Sequence, residues 1–450
     1  MTRAAPLVLA GSSGARGRPR AWLVTGATML AAAVTSGATI TPVEPAGPRQ
    51  VQRARPASQP LSEMARIGRD LFFDPRLSRS GAESCAGCHS PAHAYGPPDA
   101  RSTPLGGLAG RDQGERAVPS LRYVDRIPPF GIGPDVGVEG ATTAPPPAAP
   151  IARPPKVGSS AGAAALVPAG GLFWDGRAAT LQDQAMGPLF NPTEMANRDT
   201  ARLAERLRRV YGARLAALVG PEAVANPRQL VYEAMYAVVR FEIEDSSFHP
   251  YSSKYDAYLE GRARLSAEEA RGLAAFESPV RGNCAGCHPD RPADGRPPLF
   301  TDFQYEALGV PRNAALGGQQ DPRNHDLGLC GPTRSDLATK SGYCGMFRTP
   351  SLRNVATRRA FFHNGVYHRL EDVLAFYALR DTRPEAIYPR DAHGRVERFD
   401  DLPAVDRANV DVTDAPFGRR PGEPSPLTEQ DRRDIIAFLQ TLTDGYTQGR

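Results

Sequence analysis

The 450-residue chain is long enough for two domains, each with a sizeable buried core. Lys and Arg (54) exceed Asp and Glu (49) by only 5, and no basic run interleaves with aromatics, so nucleic-acid binding has no support. Gly and Pro, 44 of each, make up about a fifth of the chain against roughly 12% in average usage, while aromatics are only 7%. This composition predicts a loop-rich protein whose core is completed by something other than side chains.

Residues 1–40 open with Arg3, Arg16, Arg18 and Arg20, followed by the uncharged stretch Ala21–Ile40. They read as an export signal with small residues for cleavage at Ser36-Gly37-Ala38. The alternative is an uncleaved membrane anchor, because twenty uncharged residues just span a bilayer. Either way the body lies outside the cytoplasm. Residues 41–60 are a Pro-, Ala- and Arg-rich linker. Leu61–Phe73 has Met64, Ile67 and Leu71 at helical spacing and stops at Asp74-Pro75. Cys85-Ala86-Gly87-Cys88-His89 comes next, and within the Gly-, Pro- and Ala-rich stretch that follows, Gly133–Ala169 reads as a surface insertion loop. Helices are expected at Ala201–Val219 and Arg228–Glu244, then from a Ser266 N-cap to Phe276, shortly before Cys284-Ala285-Gly286-Cys287-His288. Two more are expected at Leu370–Leu379 and Thr428–Leu442, the last with a Thr-x-x-Asp cap and the stripe Ile435, Phe438, Leu439, Leu442. A helix ending in an aromatic turn precedes each Cys-x-x-Cys-His. The expected fold is therefore mainly α: two related c-type cytochrome domains, residues 61–255 and 256–445, each with one covalent haem. No alternation is strong enough to argue for a sheet.

The two Cys-x-x-Cys-His motifs carry the chemistry. Cys85 and Cys88, and Cys284 and Cys287, are spaced to form thioethers with the vinyl groups of a haem, while His89 and His288 ligate its iron. A zinc site would need four ligands, and no second Cys-x-x-Cys or His-x-His lies at zinc-like spacing. The remaining pair, Cys330 and Cys344, is free to form a disulfide in an exported protein.

Further segments gain meaning as a set: Gly68–Ser78, Phe173-Trp174-Asp175-Gly176-Arg177, Gln184, Pro188, Glu194, Thr349-Pro350-Ser351-Leu352-Arg353-Asn354 and Phe362-His363-Asn364-Gly365. Over about residues 61–445 they resemble the bacterial di-haem cytochrome c peroxidase and MauG superfamily. The resemblance implies a peroxidatic haem in the N-terminal domain and an electron-transfer haem in the C-terminal one. Trp174 then matches an electron stepping stone between the haems; by itself it reads as a core aromatic. Gln184 and Glu194, ten and twenty residues further on, match a distal glutamine and a distal glutamate that moves a proton between peroxide oxygens. Pro188 matches a distal proline. The bland readings are a solvated helix residue for Gln184 and, for Glu194, a capping box in Asn191-Pro192-Thr193-Glu194 that starts a helix.

The resemblance also implies an asymmetry. Between His89 and Trp174 the only histidine is His93, tethered near the proximal face, so the first haem is expected to have an open sixth position. Where the peroxidases place a methionine ligand for the second haem, fourteen residues after His363, this chain has Tyr377, as MauG does. Met346 and His368 are alternative ligands, and a core tyrosine is the bland reading. Calcium between the domains is doubtful: Ala117 stands where an Asn would bind it, leaving backbone carbonyls near residues 358–360. His249, His325 and His393 are read as solvated. The leading expectation is a periplasmic peroxidase taking hydrogen peroxide and electrons from a small c-type cytochrome or cupredoxin; a homodimer is compatible with it. The alternatives are a MauG-like oxidase acting on residues of a partner protein, and a non-enzymatic electron-transfer cytochrome.

Overall fold

Two helix crossings organise the chain, each allowed by a glycine. In the computed structural model, which describes residues 59–134, 166–291 and 295–447, α1 (Glu63–Phe72) packs on α6 (Pro227–Glu244). A β-carbon at Gly68 would sit 1.7 Å from the Ala237 carbonyl oxygen, so only glycine permits this approach. In the C-terminal half, α8 (Ala267–Glu277) packs on α10 (Glu429–Gln440), and a β-carbon at Gly272 would lie 1.9 Å from the Asp434 carbonyl. The described residues all fall in one compact unit, Pro48–Arg450. The export signal and nearly all of the linker lie outside the described residues, as does most of the insertion.

Between these pairs come α2 (Cys85–Cys88), α3 (Leu181–Phe190), α4 (Thr200–Val219), α5 (Pro221–Ala225), α7 (Lys254–Leu259) and α9 (Leu370–Leu379). The expected helices form within a residue or two of their expected bounds, and all but α9 start at an explicit side-chain cap. Ser266 and Glu269 make a reciprocal capping box at α8, and Thr428 and Asp431 make one at α10. Helices α3, α5 and α7 were not among those expected from periodicity; α3 carries Pro188 inside it. Apolar side chains collect in two main clusters. One draws Ile67, Phe72, Leu203, Leu207 and Leu230 from α1, α4 and α6; the other draws Tyr255, Phe276, Leu374, Ile435 and Phe438 from α7 to α10.

The described sheet structure is three two-stranded antiparallel ribbons: β1 (Leu105–Gly106) with β2 (Asp112–Gln113), β3 (Gly131–Pro134) with β4 (Leu166–Ala169), and β5 (Tyr305–Glu306) with β6 (Phe347–Arg348). The expectation of no sheet is thus corrected at small scale. β3 and β4 close the two ends of the insertion into a ribbon, pairing Gly131 with Ala169 and Pro134 with Leu166. Among the described residues no helix is long and apolar enough to cross a membrane.

Candidate active site

Each Cys-x-x-Cys-His motif is built the same way. The motif forms one tight turn, with the His89 amide donating to the Cys85 carbonyl and the His288 amide to the Cys284 carbonyl, both at 2.8 Å. His89 Nδ1 faces the Tyr95 carbonyl at 3.1 Å, and His288 Nδ1 faces the Phe300 carbonyl at 2.8 Å. A carbonyl only accepts, so Nδ1 carries the proton and Nε2 presents its lone pair to a metal. Burial pushes the His89 pKa down to about 4 and lowers that of His288, so both rings are neutral at pH 7. Tyr95 and Phe300 both adopt φ near +55°, a left-handed conformation that side chains rarely take.

A serine holds each of these strained residues. Ser120 Oγ donates to the Ala94 carbonyl at 2.5 Å, and Ser351 Oγ donates to the Leu299 carbonyl at 2.6 Å. The two serines belong to a repeated segment, Pro119-Ser120-Leu121-Arg122 and Pro350-Ser351-Leu352-Arg353. Each copy is followed by a left-handed residue, Tyr123 or Asn354, and a short helical turn. Sequence reasoning overlooked this repeat, although a self-comparison of the chain shows it.

A large, mostly apolar cavity is lined by Cys284, Cys287, His288 and Tyr377, and extends past Trp174. It suits haem c. Its walls are mostly apolar, two thiols and an imidazole line it, and two half-buried guanidiniums face it with no carboxylate partner among the described residues. Arg358 donates to the Val118 and Ala360 carbonyls, and burial pushes its pKa down to about 10. Burial lowers Arg348 as well. Cations facing an apolar cavity without an anionic partner are costly, and the carboxylates of a haem are anions of the right kind to meet them. These arginines were not among the expected site residues; nothing in the sequence marks them as facing a cavity.

Of the ligand candidates for the second haem, only Tyr377 lines the cavity. Its ring stacks on Phe417 at 5.6 Å, and burial raises the phenol pKa well above its usual range. Met346 packs instead with Tyr305, Leu329 and Leu337. His368 is exposed, with Nδ1 against the Arg359 carbonyl at 2.8 Å. The same carbonyl, and that of Ala360 beneath Arg358, are two that a calcium ion could have used; both are engaged.

Glu194 lies in a turn beside the first motif. The turn is fastened to that region by the Arg79 amide on the Met195 carbonyl and by Asn197 Nδ2 on the Leu77 carbonyl, both at 2.8 Å. The capping box expected here does not start a helix: Asn191 caps only a turn, its Oδ1 accepting from the Thr193 amide and its Nδ2 donating to Glu194 Oε1 at 2.7 Å. Pro188 lies inside α3, and Pro192 opens the turn that follows the helix. Burial raises the Glu194 pKa, opposed by Arg177 and Asn191; the Cys88 thiol is raised chiefly by burial and then by the nearby Glu194 charge. Gln184 is buried in α3 rather than solvated, and Pro188, which has no N–H, leaves its backbone carbonyl without the usual helical donor. Gln184 forms no hydrogen bond with Glu194 among the described residues.

Trp174 sits between β4 and α3. Its Nε1 donates to the Ala117 carbonyl at 2.8 Å, and Ala117 in turn donates to the His363 carbonyl at 2.7 Å. His363 stacks on Phe347 at 3.6 Å; its Nε2 lies 3.6 Å from Asp401 Oδ2 and makes no hydrogen bond among the described residues. His93 faces the cavity with Nδ1 against Ser90 Oγ. His249 and His325 correct the expectation of solvated loops: His249 is buried and His325 is half-buried against the Asp401 carbonyl at 3.0 Å, while His393 is exposed.

Residues 62–264 match a family model described as di-haem cytochrome c peroxidase. The chain is 32% identical to methylamine utilization protein MauG of Paracoccus denitrificans over 406 residues, covering 87% of this chain and 91% of that protein. It is 28% identical to cytochrome c551 peroxidase of Pseudomonas aeruginosa, over 73% of this chain and 75% of the relative. Among solved structures, the diheme peroxidase BthA from Burkholderia thailandensis matches with a TM-score of 0.73 at 38% identity, covering 88% of this chain and 89% of that one. The chain therefore carries two covalently bound haem c groups, and it belongs to the di-haem cytochrome c peroxidase family of oxidoreductases, which includes MauG.

Proposed function

We propose that this protein is a periplasmic peroxidase that reduces hydrogen peroxide to water with electrons from a small c-type cytochrome or cupredoxin. Glu194 carries the reading. It is a carboxyl of raised pKa in a turn opened by Pro192 and tied to the region of the first haem motif, and Asn191 holds it by one oxygen only. Its other oxygen, Oε2, has no hydrogen bond among the described residues and is the atom that would take a proton from one peroxide oxygen and return it to the other. Haem c supplies the iron for peroxide binding and the store of electrons. His89 and His288 would hold the two irons through Nε2, Tyr377 would close the second, and Gln184 would help orient peroxide. Trp174 would pass electrons from the second haem towards the first. The Cys330–Cys344 disulfide supports an oxidising compartment. Turnover of peroxide with a reduced small cytochrome tests the reading: Glu194→Gln should lower kcat by about 10²–10⁴-fold, and an unchanged kcat would refute the role of Glu194.

A second reading is favoured by one observation, the placement of Tyr377 in the cavity of the second motif. It is a MauG-like oxidase that draws electrons from residues of a partner protein. Faster peroxide consumption with a protein substrate than with reduced cytochrome would decide for it.

A further inference from the structure

We propose that the disulfide-closed loop between Cys330 and Cys344 is a positioning device for Trp174, with Arg334 as its central contact. The inference rests on the reading of Trp174 as the stepping stone between the haems.

The loop is tied at its base. Cys330 and Cys344 are joined, the Leu329 amide donates to the Met346 carbonyl at 3.1 Å, and the Gly345 amide donates to the Leu327 carbonyl at 2.9 Å. Three arms reach from it to the Phe173-Trp174-Asp175 segment. The first leaves just before Cys330: Asp326 accepts two bonds from Arg116, at 2.6 and 2.7 Å, and Arg116 donates to Asp175 Oδ2 at 2.7 Å. The second leaves from inside the closed loop: Arg334 Nη1 donates to the Asp175 carbonyl at 2.8 Å. The third leaves just after Cys344: the Arg348 amide donates to the Trp174 carbonyl at 2.9 Å. The disulfide thus brings together the roots of all three arms.

Arg334 is built for position rather than for charge. It is buried, its Nε and Nη2 are occupied by Asp336 at 2.7 Å each, and its guanidinium lies over the Phe130 ring at 3.8 Å. Only Nη1 is left to hold the backbone of Asp175, the residue after Trp174. Asp175 itself is fully buried, so its carbonyl and carboxylate need these donors. Neither cysteine nor Arg334 lines the cavity of the second motif, so their replacement removes no wall of that site. On its other side the indole donates from Nε1 to the Ala117 carbonyl. Freed from the loop, the segment would keep that bond and the contacts of Arg177 with the Asp175 carboxylate and the Phe173 ring, none of which holds the Trp174 backbone.

The test is intramolecular electron transfer in the haem-loaded protein. The second haem is reduced by a light-triggered electron donor, and arrival of the electron at the first is followed by absorbance. Four proteins are compared with the parent: Cys330→Ser/Cys344→Ser, Arg334→Gln, Arg334→Lys and Trp174→Phe. The two loop variants other than Arg334→Lys should slow transfer about tenfold or more with both ferric haem spectra unchanged, since ångström misplacements have effects of that order. Arg334→Lys, which can still donate to the Asp175 carbonyl, should restore part of the rate. Parent-like rates in the loop variants beside a slow Trp174→Phe overturn the positioning claim alone. Slowing that comes with altered haem spectra also overturns it, because the loop would then support a haem. A parent-like rate in Trp174→Phe overturns the stepping-stone reading on which the inference stands. If the double serine variant fails to fold, Arg334→Gln, which keeps the disulfide, still decides.

Discussion

His89 and His288 are poised as ligands by a carbonyl on Nδ1, a left-handed aromatic and a serine that fixes the preceding residue. Such second contacts set which ring nitrogen is left for a metal. Another buried group has no such role in the proposed chemistry. Glu242, on α6 and near Cys85, is 3% exposed; its Oε2 has no hydrogen-bond partner among the described residues, and burial pushes its pKa up to about 8. The unfolded chain ionises this carboxyl near its usual pH while the folded chain keeps it protonated. Stability should therefore fall as pH rises from about 4.5 to 8, at up to about 1.4 kcal/mol per unit. Glu242→Gln should gain melting temperature over the parent at pH 8 and little at pH 5; equal gains at both would refute this. Tyr377 is the other residue open to a direct check. Its phenol is buried against Phe417 with Arg380 the lone cation favouring ionisation, so a bound metal ion is what would draw off its proton. Tyr377→Phe should change the absorption spectrum of the second haem, and an unaltered spectrum would remove tyrosine from its ligand set.

The helices show how far sequence patterning reaches. α8 and α10 were legible because Ser266 with Glu269, and Thr428 with Asp431, announce their starts, and apolar stripes give their faces. α3 was not, since Pro188 and Gly187 interrupt a pattern whose moment is weak, and its buried Gln184 breaks the apolar stripe. Asn191-Pro192-Thr193-Glu194 looked like a helix start and became a turn, because the chain folds back at Ala196, at φ +56°, to bond Leu189. The crossing glycines are the least visible in sequence and among the most constrained. Gly272→Ala would press its methyl into the Asp434 carbonyl and should destabilise the α8–α10 pair by about 1–3 kcal/mol. Denaturant unfolding checks this; a parent-like midpoint would show that the helices can separate at no cost.

Across the whole molecule the two haem sites share a plan and differ in what surrounds them. The Cys-x-x-Cys-His motifs were readable directly from their spacing, and Tyr377 came into view through the family resemblance; it lines the cavity of the second motif. The cavity-facing Arg348 and Arg358, the burial of His249 and the arms of the Cys330–Cys344 loop were not, because they depend on contacts between residues far apart in the chain. The account stands on an unequal pair: a first haem open to peroxide beside Glu194, and a second closed by Tyr377 that feeds it through Trp174. The most direct measurement is the absorption spectrum of the as-isolated ferric protein before and after hydrogen peroxide, with no prior reduction. The account predicts a high-spin haem at the start, an immediate spectral change on adding peroxide, and return to the ferric spectrum when a reduced small cytochrome is supplied. A spectrum with no high-spin haem that peroxide leaves unchanged would contradict it.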